Sequence, residues 1–148
     1  MSRVTPKIQE LAQRIVTYET KASKSPQAKA TAVFQLFDEL RPHLTPLMGS
    51  AGYAALLARA LAITKAESIT LSEVQVKADG TLDGFDKLHV QIGPEEILNN
   101  MTLMLAHLLS LLVTFIGEDL TLRLLSEGWP KLSLMNLVGE GGKNEKQK

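Results

Sequence analysis

From Ile97 to Gly117 the chain runs for 21 residues without a formal charge. A stretch this apolar has to be hidden from water in a protein core, against another subunit or in a bilayer. Pro94, Glu95 and Glu96 precede it and form a helix start. Proline loses only a donor that the first turn leaves unpaired, and carboxylates complement the positive helix end. The apolar pattern continues towards Glu127, ahead of Gly128-Trp129-Pro130, so the spacing predicts a central helix from Glu95 to about Glu127. A straight helix over the 34 residues from Pro94 to Glu127 would be about 51 Å long. A compact domain of this size has a diameter of only about 40 Å. A bend near Gly117, a frayed end or protrusion into a partner resolves that mismatch.

Along this helix Asn100, His107, Thr114 and Thr121 recur every seven residues, as do Leu103, Ser110, Gly117 and Leu124. They make a narrow seam of small and polar side chains on an otherwise leucine-rich surface. A helix apolar nearly all round is buried nearly all round, and Ser110, Thr114 and Gly117 would let another helix backbone approach closely. The residues expected at such an interface are Ser110, Gly117, Glu118, Asp119, Arg123 and Trp129, with Asp119 and Arg123 spaced four apart for pairing along the helix. A ligand pocket bounded by His107, Ser110 and Thr114 is the alternative use of the seam. A membrane span over 97–117 is long enough. Asn99, Asn100, His107 and Ser110 within the run, the lack of closely flanking Lys or Arg and the lack of an aromatic belt argue against it.

Upstream, Thr5-Pro6 reads as a cap and first helical residue. Val4, Ile8, Leu11, Ala12, Ile15 and Val16 share one face, predicting a surface helix from Pro6 to about Lys21. Ser25-Pro26 repeats the signal, for a helix to about Leu40 burying Ala30, Val33, Phe34, Phe37 and Leu40. Pro42 and Pro46 are expected to interrupt the chain before Gly49. A third helix, Ala51 to about Ala66, presents Tyr53, Leu56, Leu57, Ala60, Leu61 and Thr64. Between Ile69 and Gly93, near-alternating apolar residues and the pairs Asp79-Gly80 and Asp83-Gly84 predict a small hairpin or loop insertion. The expected fold is a mainly α bundle of about four main helices, a single domain over 1–138, followed by a disordered polar tail over 139–148.

Composition narrows function by exclusion. The chain has no cysteine, which removes disulfides and thiolate chemistry and suits a reducing cytoplasm. Sixteen basic and sixteen acidic residues cancel, which argues against nucleic acid and against attraction to anionic lipid. The N-terminus shows no apolar segment of the secretory kind. His107 is the one titratable group in the apolar run, read as a buried imidazole bonded to a carbonyl or hydroxyl. His43 and His89 are expected in loops without ligand spacing. Asp79-Gly-Thr-Leu-Asp-Gly84 imitates the opening of a calcium loop, but Val90 stands where the bidentate acid is needed. No nucleophile elbow, phosphate loop or paired-carboxylate motif is present. No catalytic residue, metal site or cofactor is therefore expected.

The stretch Leu111-Leu-Val-Thr-Phe-Ile-Gly-Glu-Asp-Leu-Thr-Leu-Arg-Leu-Leu-Ser-Glu-Gly-Trp-Pro130 resembles the C-terminal signature of a family of small bacterial proteins without an assigned activity. Ala51–Ala62 and Val76–Gly80 are similar to theirs as well. The resemblance spans about Leu40 to Pro130 and implies a stand-alone bacterial module, with no substrate or catalytic residue to carry over. The expected role is a non-enzymatic, cytoplasmic interaction or regulatory module acting through a helical surface as a homodimer. The alternatives are a ligand-sensing bundle near His107 and a membrane-active protein using the 97–117 helix.

Overall fold

The computed structural model describes residues 4–132, with the backbone alone at residues 89–91. Its elements are α1 (Pro6–Thr20), α2 (Pro26–Glu67), β1 (Gln75–Val76), β2 (Leu82–Asp83), α3 (Phe85–Gln91), α4 (Pro94–Ile116), α5 (Glu118–Gly128) and a 3-10 turn at Pro130–Leu132. The fold is mainly α, with one small antiparallel hairpin inserted. The apolar finish expected up to Val138 and the tail from Gly139 lie outside the described residues.

The uncharged run forms α4, and α4 is the centre of the bundle. Ile97, Met101, Met104, Leu105, Leu108, Leu109 and Leu112 are all fully buried. Each such side chain contributes roughly 1.5–3 kcal/mol on leaving water, so this helix organises the core. Helix α1 starts as its sequence dictates, with the Thr5 hydroxyl accepting from the Ile8 amide at 3.2 Å. It lies antiparallel along α4. Ile8 faces Val113 at one end, and Thr20 faces Leu98 and Thr102 at the other.

Helix α2 corrects the expected breaks at Pro42 and Pro46. The helix runs through both. The two prolines are exposed and one turn apart. The carbonyls they leave unpaired, at Asp38 and Pro42, therefore face water, which hydrates them without ending the helix. His43, expected in a loop, is consequently helical. The break comes at Gly49, whose φ of 80° suits only glycine. Past it the second arm folds back on the first, because the Tyr53 hydroxyl donates to the Phe37 carbonyl at 2.9 Å. In a straight helix, residues sixteen apart are about 24 Å apart. Each of the two arms buries the face predicted for it except Phe34 and Leu56, which are half-buried, and Leu36 and Leu44 are buried as well.

The single helix expected from Glu95 to Glu127 is likewise two. Gly117 (φ 92°) ends α4 and begins α5. Of the ways to fit this 34-residue stretch into a small domain, the chain takes the bend. Helix α5 returns beside α1: Glu118 meets Lys7, and Trp129 meets Glu19.

In the insertion, Gln75 pairs with Asp83 and Val76 with Leu82 around a turn containing Gly80 (φ 88°). Asp79 stabilises that turn, its Oδ1 accepting from the Thr81 amide at 3.0 Å and hydroxyl at 2.7 Å. Those bonds hold the exposed Asp79 carboxyl below its ordinary range. Gly84 begins α3, a helix the sequence reading did not anticipate. Its Phe85 ring packs on Phe34 with centroids 4.3 Å apart.

Candidate functional site

Three places collect the polar and exposed groups on this helical frame: a groove between α1 and α4, the end of α2 against α4, and the junction where α5 closes on α1 and α2.

The groove lies where α1 packs along the face of α4 that carries Thr102, Ala106, Ser110 and Thr114. Ser110 and Thr114 do sit together. They line its upper part, a space of about 480 Å³ shared with Thr5, Pro6, Ile8 and Val113. The salt bridge Lys7–Glu118 at 3.1 Å crosses the end of this space. Lower down, two further cavities of about 250 and 330 Å³ adjoin one another, sharing Gln13, Asn99 and Thr102. Ala12 and Ala106 line the first, and Lys21, Ser23 and Lys29 line the second. The Lys21 ammonium also rests 4.7 Å from the centroid of the Tyr18 ring, a cation–π contact.

His107 sits elsewhere. It is 2% exposed, and its Nε2 lies 3.1 Å from Glu67 Oε1 at the end of α2. The carboxylate is half in solvent, at 44% exposure. No sequence spacing links residues forty apart, so Glu67 carried no signal that sequence reasoning could use. A neighbouring contact is of the same kind: the Thr70 hydroxyl donates to Glu96 Oε2 at 2.8 Å, tying the chain after α2 to the start of α4.

The residues expected at an interface part company. Gly117, Asp119 and Arg123 are exposed, Ser110 and Glu118 half-buried, and Trp129 is 3% exposed. Among the described ion pairs none joins Asp119 to Arg123; Glu118 reaches across to α1 instead. Phe115, which the sequence reading did not single out, is 67% exposed beside Gly117.

At the junction, the Trp129 indole donates to Glu19 Oε2 at 2.7 Å, and Arg14 donates to the Leu132 carbonyl. The His43 ring covers Gly128, where a Cβ would come within 3.2 Å of Nε2. Glu39 stands beside Glu19. Burial, then the negative charge of Glu19 and a hydrogen bond to it, raise the Glu39 carboxyl above its ordinary value of 4.5. A raised carboxyl favours the folded state in its protonated form. That contribution is complete below the unfolded value and is lost as pH rises through the folded one. Glu39→Gln keeps a hydrogen-bond donor towards Glu19 and removes the charge. We expect it to raise stability near pH 7 by about 0.5 kcal/mol, a small effect because Glu39 is largely exposed. Urea unfolding at pH 4.5 and pH 7 checks this, and the variant should show the flatter pH dependence. An unchanged slope would remove Glu39 as its source.

Comparison with family models, with curated proteins and with solved structures finds no match to this chain. Among the described residues no cluster of three or more His, Asp or Glu could hold a metal ion. Two helices, α2 and α4, are long and apolar enough to cross a membrane by length and composition. In α4 that window is 56% buried within the fold, and in α2 it is 28% buried.

Proposed function

We propose that the protein is a non-enzymatic interaction module that engages a partner at the elbow between α4 and α5, the partner being in the first instance a second copy of itself. Phe115 carries the reading. It is a large aromatic side chain, 67% exposed, at the end of a helix whose other large apolar side chains are buried or half-buried. Leu111, one turn earlier, is half-buried on the same side, and Asp119 and Arg123 stand exposed beyond the elbow. An apolar centre with a charged rim is the usual build of a contact surface, and a two-fold arrangement lets one patch serve both copies. Covering a phenylalanine contributes roughly 1.5–3 kcal/mol to association. A cytoplasmic bacterial setting belongs to the same proposal, supported by the cysteine-free composition and by the resemblance over Leu111–Pro130.

Light scattering at micromolar concentration should report twice the chain mass of 16.2 kDa. Phe115→Asp should weaken association at least about tenfold while leaving thermal stability unchanged, since the ring is exposed in the monomer. A monomer at every concentration would end the self-association reading. A dimer indifferent to Phe115→Asp would move the contact away from the elbow.

A membrane-active role is the second reading, favoured by the small buried share, 28%, of the apolar window in α2. Flotation with phosphatidylglycerol-containing liposomes decides it: protein that stays with the buffer layer rules it out. The ligand-sensing alternative at His107 has less behind it, since the ring is enclosed and already engaged by Glu67.

A further inference from the structure

We infer that the lower α1–α4 groove binds a small amphiphile, its anionic head (a carboxylate or phosphate monoester) held between Lys21 and Lys29 and its short apolar tail lying towards Ala106. The cavity of about 330 Å³ at this end is lined by both lysines and by no aspartate or glutamate. Among the described ion pairs neither lysine has a carboxylate. In a chain whose charges sum to zero this is a local excess of two positive charges in a concave site. Of the four hydroxyls lining the cavity, Thr20 and Thr102 already donate to the Val16 and Leu98 carbonyls, which leaves Thr17 and Ser23 to assist the lysines. The head is met by the Lys29 ammonium and by that of Lys21, which leaves the Tyr18 ring to reach it, with the Asn99 amide between the cavities as a third donor, and bonds from cations to an anion are the stronger kind.

The tail direction follows from the adjoining cavity of about 250 Å³, whose lining includes Ala12, Leu103 and Ala106. The two spaces together have the size of an ordinary metabolite site, with polar groups predominating at the lysine end and Ala12, Leu103 and Ala106 among the lining at the other. This site stands apart from Phe115 and does not depend on association.

Nuclear magnetic resonance titration of the isotope-labelled protein tests the inference with hexanoate and hexyl phosphate as probes, and with acetate and hexanol as the head alone and the tail alone. Saturable shifts are expected at the Ser23, Lys29, Asn99 and Ala106 amides. At least one six-carbon anion should bind about tenfold tighter than acetate or hexanol; the tighter of the two anions identifies the head. Lys29→Gln and Lys21→Gln should each weaken that binding about tenfold, and Lys24→Gln, outside the cavity, should not. The variants' own spectra report whether they fold. No saturable shift with either anion, hexanol binding as well as they do, or full affinity in both lysine variants would overturn the inference.

Discussion

Replacing Gly84 by alanine is expected to lower stability by about 3 kcal/mol or more, which for a chain of this size lowers the thermal midpoint by about 6–12 °C. Two effects add. Gly84 has φ of 99°, where a side chain is strained by about 1–2 kcal/mol. A Cβ built there also runs into the backbone carbonyl of Glu73, which cannot move without carrying the strand beside it. Gly49 and Gly117 provide the comparison. Both have positive φ, and neither would place a Cβ within 4 Å of a neighbouring atom. Gly49→Ala and Gly117→Ala should therefore show the strain alone, about 1–2 kcal/mol. Thermal unfolding of the three variants side by side measures the difference. Equal losses would mean that the close approach between Glu73 and the start of α3 is absent.

The second large effect is expected at Trp129. Its ring is buried at the end of α5, and its N–H is held by Glu19. Trp129→Ala should cost about 3–5 kcal/mol through the space left behind. Trp129→Phe retains most of the packing and loses one hydrogen bond, for about 1 kcal/mol, since the half-exposed Glu19 can turn to water. Urea unfolding followed by circular dichroism gives both numbers, because the variants lose the chain's one tryptophan. A loss for Trp129→Ala below about 1 kcal/mol would show that the indole does not hold α5 in place.

The faces that make the core were written in the sequence. Periodicity placed Ile8, Leu11, Ile15, Val33, Phe37, Leu57 and Leu61 inward, and each is buried. Caps at Thr5 and Ser25 and the proline at Pro94 placed three helix starts. Local signals failed where a residue's effect depends on which way it faces. Pro42 and Pro46 are breakers by local rule, yet pointing at water they leave the helix intact, and Gly49 does the breaking. Asp83-Gly84 looks like a turn in sequence and serves as the left-handed entry to a helix, a choice made by the Glu73 backbone packed against it. The polar pairs were the least legible part. Glu67 with His107, Glu19 with Trp129 and Glu96 with Thr70 join residues 40, 110 and 26 positions apart, and nothing in a single chain marks such partners in advance. The α1–α4 groove was half legible. Small residues along the seam announced a close approach, but which helix would come, and that two lysines would stand at its foot, depended on how α1 and the start of α2 pack against the first turns of α4.

Those reversals have an electrostatic outcome. Helix α1 against α4, the two arms of α2, and α4 against α5 each set the positive end of one peptide-dipole array beside the negative end of another, so the arrays largely extinguish each other. With equal numbers of fixed charges of either sign, the molecule as a whole draws neither sign of charge from a distance. Guidance of an approaching group is then confined to local excesses such as the lysines at the foot of the groove.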